Sequence, residues 1–375
     1  MRELSSAARL LETLAAKGPI PAGWATAVAQ VPRELFLPDA VEADGTVISR
    51  SEQPEEWLAA VYDDLPLITQ VNDGAEVAPG AYQMPTASSS MPTVMLEMLG
   101  LLDVREGHRV LELGAATGYN AAWLSHRLGS DHVTTIDIDP ALAEGAGKHL
   151  SAAGYHPRVV CGRGERGWPQ GAPYDRVIAT YTVPDIPYAW IEQAPAGRIV
   201  APWGGSFFSH SFAVLDVADG EAHGRFSGYP AFMRSRTGRP YRGYLDDFLH
   251  HRDAATGSRT DLSPLAIVSD ADALFFIGLD LPDAWYLHVP ATDGSGEATL
   301  WILADDRRSW AAADYAPGTD EYEITQYGPR SLWDEAEHSY RRWTERGLPA
   351  RDRAGLSITR ASQSVWLDRP GNVYA

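Results

Sequence analysis

Residues 110–119 constrain the fold of this chain more than any other part of the sequence. They read Val-Leu-Glu-Leu-Gly-Ala-Ala-Thr-Gly-Tyr, an apolar run followed by a turn that contains two glycines. The apolar run predicts a buried strand, and the residues that follow the second glycine keep helical spacing as far as Leu128. A strand, a glycine turn and a helix in this order are typical of a nucleotide-type pocket at the end of a parallel sheet.

A second strand with an acidic end is predicted about twenty residues further along the chain. Residues 133–140 read Val-Thr-Thr-Ile-Asp-Ile-Asp-Pro, so Asp137 and Ile138 follow directly on an apolar run. A carboxylate at this point is placed to accept hydrogen bonds from ribose hydroxyls. The two strands together predict a cofactor site.

The type of cofactor follows from departures from the dinucleotide-binding pattern, which would place a pyrophosphate on a helix N-terminus. Glu112 precedes the turn at 114–118, and a carboxylate there repels phosphate but suits a cationic ligand. S-adenosylmethionine carries an ammonium and a sulfonium group and no phosphate, so we prefer it to NAD, with S-adenosylhomocysteine as product. The alternative is that the glycines only end a strand in some other α/β protein. The predicted cofactor-binding residues of these two segments are Glu112, Gly114, Ala115, Thr117, Gly118, Tyr119, Asp137 and Ile138.

Composition and charge disfavour several classes of function. With 375 residues, 45% of them apolar, the chain is long enough for two domains. Its formal net charge of −19, from 50 acidic and 31 basic residues, repels a phosphate backbone, so we expect no nucleic-acid substrate. Membrane-spanning runs and a signal-peptide layout are lacking, which predicts a cytoplasmic protein. The single cysteine, Cys161, argues against a cysteine-based metal site, and we predict no metal.

Three regions are predicted along the chain. Residues 1–91 should form a helical cap followed by substrate-side loops, with 42–90 mostly loop because Asp, Gly, Pro and Ser are frequent there. Strand and helix patterns alternate over 92–206, which predicts an α/β fold with a doubly wound parallel sheet. Residues 207–375 predict a separate C-terminal α+β domain that includes a strand at 273–279.

Motifs in a defined order link about residues 20 to 205 to a known family. They lie at residues 31–38, 88–92, 110–119, 167–169, 172–178 and 183–187. Together they resemble the protein-L-isoaspartate O-methyltransferases. This resemblance implies a class I S-adenosylmethionine-dependent methyltransferase fold and the esterification of a carboxylate.

The resemblance also implies which residues contact the substrate. It places Ser90 at the family's active-site serine and Ser88 at a position usually held by threonine, so both are predicted to be catalytic, although a serine-rich stretch before a proline is also a common turn. Because a carboxylate is ionised near pH 7, methyl transfer needs orientation rather than a general base, and hydroxyl groups suit that task. The predicted substrate-binding residues are Ser89, Thr180, Tyr181 and Thr182. The last three end a predicted strand, where capping of the strand is an equal alternative.

One position departs from the family pattern. Arg163 stands where the family has an aspartate that is expected to bind the adenine amine, and a guanidinium only donates hydrogen bonds. We therefore predict that Glu165 or the backbone takes over this contact, and we assign Gly164 and Glu165 to the cofactor site.

The region beyond residue 207 has no place in the repair enzymes of this family and resembles long actinobacterial relatives associated with ribosomal peptide pathways. Those relatives methylate an aspartate in a graspetide, lanthipeptide or lasso peptide, and the ester closes to an aspartimide (succinimide). The resemblance thus implies a modified, macrocyclic peptide as partner and a C-terminal domain for peptide recognition. Two alternatives stay open: repair of isoaspartate in damaged proteins and, because of Arg163, a non-catalytic binding protein on a methyltransferase scaffold. The sequence leaves the oligomeric state open.

Overall fold

The computed structural model describes residues 6–76, 78, 80, 82–240, 243–249 and 251–374. Its helices are α1 (Ser6–Lys17), α2 (Ala25–Gln30), α3 (Pro54–Val61), α4 (Pro92–Leu102), α5 (Tyr119–Leu128), α6 (Pro140–Ala152), α7 (Tyr188–Gln193), α8 (Pro264–Val268), α9 (Ala271–Asp280) and α10 (Leu332–Glu345). Its strands are β1 (Ala40–Ala43), β2 (Thr46–Ser49), β3 (Leu67–Val71), β4 (Pro85–Ser89), β5 (Val110–Leu113), β6 (Val133–Asp137), β7 (Arg158–Cys161), β8 (Arg176–Ala179), β9 (Arg198–Trp203), β10 (Ser211–Ala218), β11 (Glu221–Ser227), β12 (Thr256–Thr260), β13 (Ala284–Pro290), β14 (Ala298–Ala304), β15 (Trp310–Tyr315), β16 (Tyr322–Tyr327), β17 (Ala354–Ile358) and β18 (Gln363–Leu367).

A nine-stranded central sheet confirms the predicted α/β fold with a doubly wound parallel sheet. Its strand order is β18-β17-β11-β10-β9-β8-β5-β6-β7, and the five strands from β9 to β7 in this order run parallel. The two apolar cores on opposite faces of the sheet contain α7 on one side and α4 and α5 on the other. Because the strand order reverses between β5 and β8, the carboxyl ends of these strands flank a crevice.

The central sheet continues beyond residue 206. Strands β10 and β11 extend it from β9, and β17 and β18 complete the same edge, all in antiparallel pairing. The predicted boundary between 206 and 207 therefore runs through one continuous sheet. A division of the chain into independently folding units stays a prediction.

The prediction that residues 42–90 are mostly loop is wrong. They contain α3 and most of a four-stranded antiparallel sheet in the order β2-β1-β3-β4. The turn between β1 and β2 is Asp44-Gly45, with both residues at positive φ, as a two-residue hairpin requires. The same pair, Asp219-Gly220, joins β10 to β11. In both places the Asp-Gly signal marks a hairpin and not an extended loop.

The strand predicted at 273–279 is also wrong, because these residues form helix α9. The segment is apolar on nearly every side, and such a run fits a buried strand and a buried helix equally well. Asp270 decides between them, since its side chain accepts hydrogen bonds from the backbone amides of Asp272 and Ala273 and so caps a helix.

The C-terminal region packs against the central sheet through an aromatic cluster. Helices α8 and α10 pack on a five-stranded antiparallel sheet, in the order β12-β16-β15-β14-β13, and α9 packs on these two helices. The ring of Phe275 on α9 lies 5.0 Å from that of Phe226 and 6.2 Å from that of Trp203, both of which belong to the central sheet. The two sheets thus share one apolar core.

We predict that Phe275→Ala lowers the free energy of unfolding by about 3–5 kcal/mol, because it leaves a cavity between the two sheets. Denaturant unfolding followed by tryptophan fluorescence and by circular dichroism should show one transition, shifted equally for both signals. Val289→Ala, at an exposed position, serves as the control and should change little. Two separate transitions, of which only one shifts, would show that the C-terminal region unfolds independently.

Candidate active site

A cavity of about 410 Å³ lies at the carboxyl ends of β5, β6 and β8. The predicted site residues that line it are Ser88, Ser89, Ser90, Gly114, Ala115, Thr117, Tyr119, Asp137, Ile138, Gly164, Glu165, Thr180 and Tyr181. Three other predicted site residues, Glu112, Gly118 and Thr182, do not line it. The cavity therefore brings two predicted parts of the site together: the cofactor loop, residues 114–118, and the serine segment, residues 88–90.

The turn after β5 forms the floor of this cavity. Gly114 has a φ of 101°, and a side chain at this position would overlap the hydroxyl of Thr180. The amides of Gly114 and Ala115 both donate to the carbonyl of Ile136, at 2.8 and 3.0 Å. Gly118 lies behind the turn, where a Cβ would meet Leu150 of α6. Gly114 thus lets the backbone lie close to Thr180 at the cavity, and Gly118 lets it lie close to α6.

Asp137 ends β6 at the cavity wall. Its carboxylate accepts hydrogen bonds from the amides of Ala116 and Asp139, at 2.8 and 3.0 Å. Burial raises the pKa of Asp137 despite these two donors. The fixed carboxylate fits the role predicted for it toward ribose hydroxyls.

Glu112 reaches the cavity only through a neighbour. Its side chain is fully buried and accepts hydrogen bonds from Thr135 Oγ1 at 2.5 Å and from Asn120 Nδ2 at 2.7 Å. Burial raises its pKa to about 7. Asn120 lines the cavity, and its buried Oδ1 has no hydrogen-bond partner among the described residues. An acceptor left unpaired beside a buried carboxylate fits the ammonium group of S-adenosylmethionine.

The serine segment is held by Arg33, whose side chain is fully buried. The guanidinium donates to the hydroxyl and the carbonyl of Ser89 and to the carbonyl of Ser90, at 3.0–3.1 Å. Nη1 donates to the carbonyls of Val61 and Asp63, and Nη2, which donates to the carbonyls of Ser89 and Ser90, also reaches the carbonyl of Leu65. Burial lowers the pKa of Arg33 to about 10, so it stays charged at neutral pH. Ser89 is thus engaged by Arg33, whereas Arg33 leaves the hydroxyl of Ser90 unbound.

Residues 229–237, which we call the strap, cover the cavity. Sequence reasoning missed the strap, although most of it lines the cavity. Thr182 anchors it, because its backbone pairs with Met233 and Ser235 and its hydroxyl donates to the carbonyl of Phe232. The predicted contact of Thr182 with substrate is thus replaced in the structure by contact with the strap. Thr180 also serves the fold in part, since its hydroxyl donates to the Gly114 carbonyl.

Arg236 joins the strap to the other cavity walls. It forms ion pairs with Asp73 at 3.2 Å and with Asp139 at 3.0 Å, and it donates to Gln70 Oε1 at 2.6 Å. Asp139 in turn caps α6. The available sequence signal was the run of Arg234, Arg236 and Arg239 in a strongly acidic chain, which the sequence analysis did not use.

Arg163 does not line the cavity. Its side chain is half exposed and lies 3.7 Å from the carboxylate of Glu165. Glu165 lines the cavity and accepts a hydrogen bond from Ser235 of the strap at 3.2 Å. A carboxylate is therefore present at this wall, supplied two residues later in the chain.

The part of the chain that the structure describes contains no group of three or more His, Cys, Asp or Glu side chains arranged to hold a metal ion. No helix in these ranges is long and apolar enough to cross a membrane.

The parallel sheet, the glycine turn, the strand-end aspartate and the unpaired acceptor of Asn120 define a class I S-adenosylmethionine-dependent methyltransferase. A family model described as protein-L-isoaspartate(D-aspartate) O-methyltransferase matches residues 5–225. The chain belongs to this family, whose members are S-adenosylmethionine-dependent carboxyl O-methyltransferases. The family match decides against the non-catalytic alternative that Arg163 suggested.

Individual relatives agree with this assignment. The chain is 35% identical over 229 residues to a protein-L-isoaspartate O-methyltransferase of Hyperthermus butylicus, covering 58% of this chain and 83% of that protein. It is 33% identical over 230 residues to one of Methanopyrus kandleri, covering 60% and 88%. Among solved structures, a protein-L-isoaspartate O-methyltransferase aligns with 97% of this chain and 100% of its own, at 20% identity and a TM-score of 0.55.

This structural alignment corrects one expectation. The region beyond residue 207 was expected to have no place in the repair enzymes, but the alignment at the level of fold includes nearly the whole chain. The C-terminal region therefore does not by itself separate peptide maturation from repair.

We predict that the affinity for S-adenosylhomocysteine rises as pH increases through about 7, because Glu112 is neutral below its pKa and then offers no charge to the ligand's ammonium group. Calorimetric titration should show a gain of up to about tenfold between about pH 6 and about pH 8. Glu112→Gln should remove this pH dependence, whereas Glu144→Gln, at an exposed position, should keep it. A flat profile in the wild type would contradict the prediction.

The stability of the ligand-free protein should show the opposite pH dependence. A raised pKa means that the protonated form of Glu112 stabilises the fold; this contribution is complete below about pH 4.5 and is lost as pH rises through about 7. The difference in melting temperature between wild type and Glu112→Gln, measured across this range, isolates the effect of Glu112.

We predict that Arg33→Lys lowers the free energy of unfolding by about 2–4 kcal/mol, because an ammonium group cannot supply all the donors that the buried carbonyls use. Turnover should fall more than cofactor affinity, since Arg33 contacts Ser89 and Ser90 but not the Asp137 wall. Ser90→Ala should lower turnover without a loss of stability, because Arg33 binds the Ser90 carbonyl. Arg50→Lys, at an exposed position, is the control. Parallel losses of turnover and cofactor affinity would refute the separate role of the serine segment.

Proposed function

We propose that this protein uses the cavity to esterify a carboxylate of an aspartyl or isoaspartyl residue in a peptide, in the cytoplasm. The observation that carries this proposal is the meeting of two walls. One wall holds Asp137, Asn120 and the glycine turn, and the other holds Ser88 and Ser90 on a segment fixed by Arg33. A cofactor and a peptide carboxylate that occupy these walls share one enclosed space.

Methyl transfer requires that the peptide carboxylate be oriented toward the methyl group of the cofactor. S-adenosylmethionine supplies an electrophilic methyl group on a sulfonium. The attacking carboxylate is ionised at neutral pH, so no side chain of the cavity has to remove a proton. Ser88, Ser90 and Tyr181 line the cavity, and their hydroxyls supply donors that can orient the carboxylate. The strap lines the same space and reduces the access of water to it.

The family match supports isoaspartyl peptides as substrates. The way the entrance of the cavity is held supports a second candidate, a peptide of constrained shape. The strap is held by Thr182, by Arg236 and, from the C-terminal region, by Arg351, which donates to the carbonyl of Gly228 and stacks on Tyr229. A mouth fixed from three sides suits a ligand of fixed shape, whose binding loses little conformational entropy. We therefore propose aspartate in a constrained, ribosomally made peptide as the finer substrate class, with the C-terminal region contributing to recognition.

The product of the second candidate rearranges after release. The backbone nitrogen that follows the esterified residue attacks the ester carbonyl and forms the ring carbon–nitrogen bond of a succinimide. The amide proton and the methoxy group leave together as methanol. Hydrolysis of the succinimide yields aspartate or isoaspartate. Both candidate functions begin with the same step, the esterification of a peptide carboxylate.

The test compares three peptides as substrates of the full chain. They are a linear isoaspartyl peptide, a macrocyclic peptide with a normal aspartate, and the linear precursor of that macrocycle. Mass spectrometry should follow the gain of one methyl group and then the loss of methanol. We expect methylation of the macrocycle and not of its precursor. Robust methylation of the linear isoaspartyl peptide alone would assign the protein to repair, and no methyl transfer to any of the three would overturn the proposal.

A further inference from the structure

Tyr229 is an exposed aromatic residue at the cavity. Ten large apolar or aromatic side chains are exposed in the described part of the chain, and two of them, Ile138 and Tyr229, line the cavity. Ile138 follows Asp137 and belongs to the cofactor wall. Tyr229 is 59% exposed. It lies at the serine end of the cavity, because the preceding Gly228 packs against Glu97 of α4, the helix that follows the serine segment.

The position of Tyr229 is set by an arginine from the C-terminal region. Arg351, between α10 and β17, is buried, and its guanidinium carbon lies 3.8 Å from the centre of the Tyr229 ring. The same guanidinium donates to the carbonyl of His210 at 3.0 Å, to Ser211 Oγ at 2.7 Å and to the carbonyl of Gly228. The backbone amide of Arg351 donates to Asp272, so both ends of this residue are fixed.

This arrangement presents a pre-ordered ring to the solvent. The stacked guanidinium holds the ring by a cation–π contact, so little side-chain freedom remains to be lost when a ligand packs on the exposed side. Tyrosine combines a large apolar surface with a polar end, which suits contact with a peptide backbone and its side chains. A ring that served only the core would be buried, and this ring is not.

We propose that Tyr229 is a substrate-binding residue on which the peptide segment beside the reacting residue packs, and that Arg351 is a positioning residue that holds it there. This inference rests on the proposed function, since it assigns the peptide to the serine end of the same cavity. It also gives the C-terminal region a defined part in recognition. That region supports the ring from behind and leaves the contact with substrate to the strap.

The decisive experiment is a Tyr229 series measured with whichever peptide of the panel above the wild type methylates best. Tyr229→Leu removes the ring and should raise the peptide KM by about fivefold to tenfold. Tyr229→Phe keeps the ring over Arg351 and should stay within about twofold of wild type. The affinity for S-adenosylhomocysteine, measured by calorimetry, should be unchanged in both variants, because Tyr229 lies away from the cofactor wall.

A matched control is available elsewhere in the chain. Tyr188 also carries an arginine over its ring, Arg360 at 4.8 Å, but it does not line the cavity. Tyr188→Leu therefore removes the same kind of contact and should leave the peptide KM unchanged. Equal KM values for wild type and Tyr229→Leu, or an equal loss of cofactor affinity, would overturn the assignment of Tyr229.

The role of Arg351 is tested by its coupling to Tyr229. Arg351→Lys should raise the peptide KM by a factor similar to that of Tyr229→Leu, and the double variant should be no worse than either single one. Multiplied effects in the double variant would show that Arg351 acts by another route. If Arg351→Lys does not fold, the difference between Phe and Leu at position 229 still decides whether the ring matters. If the wild type methylates no peptide, the proposed function itself is overturned. This outcome differs from that of an active enzyme in which Tyr229→Leu leaves the peptide KM unchanged.

Discussion

The buried guanidinium of Arg33 is the interaction on which the site depends most. Its five N–H groups contact six oxygen atoms, because Nη2 shares its two hydrogens among three carbonyls, and they join residues 61–65 to Ser89 and Ser90. One side chain thus holds the N-terminal sheet and the cavity wall together. A planar group with five N–H donors fits this ring of oxygens, and a lysine ammonium does not. The serine segment is therefore ordered before any ligand binds, which is the condition for catalysis by orientation.

Charge in the cavity is arranged for a cationic ligand. Glu112 and Asp137 are both buried, and burial raises the pKa of both, so a bound cation relieves an unfavourable environment on each side of the turn after β5. The strap brings positive charge from the opposite side through Arg236, which is neutralised by Asp73 and Asp139. Arg236 thus joins three separate segments of a strongly acidic chain.

Most of the predicted cofactor-binding residues line the cavity, because the segments that hold them are local in sequence. The turn after β5 and the end of β6 are each formed by a short stretch of consecutive residues. The parallel pairing of β5 with β6 places the two stretches side by side. Glu112 and Asn120 show the limit of this reasoning. The acid was expected at the ligand, but the strand turns it inward, and the amide from the first turn of α5 reaches the cavity instead. Side-chain direction at a strand end depends on the pleat, which spacing alone does not reveal.

The sequence by itself determined the class of fold, the family and the two strand-end segments that line one wall of the cavity, because apolar periodicity and short glycine motifs act over a few residues. It did not determine the hairpins of the N-terminal sheet, the helical state of residues 271–280, or the strap. The hairpins and the helix carried local signals, the Asp-Gly pairs and the Asp270 cap, that the sequence interpretation did not weigh. The strap depends on partners far along the chain: Thr182 with residues 232–235, Gln70 with Arg236, and Arg351 with Tyr229. Contacts between residues fifty or more positions apart carry no local signal, so only the tertiary structure decided which side chains form the cavity mouth.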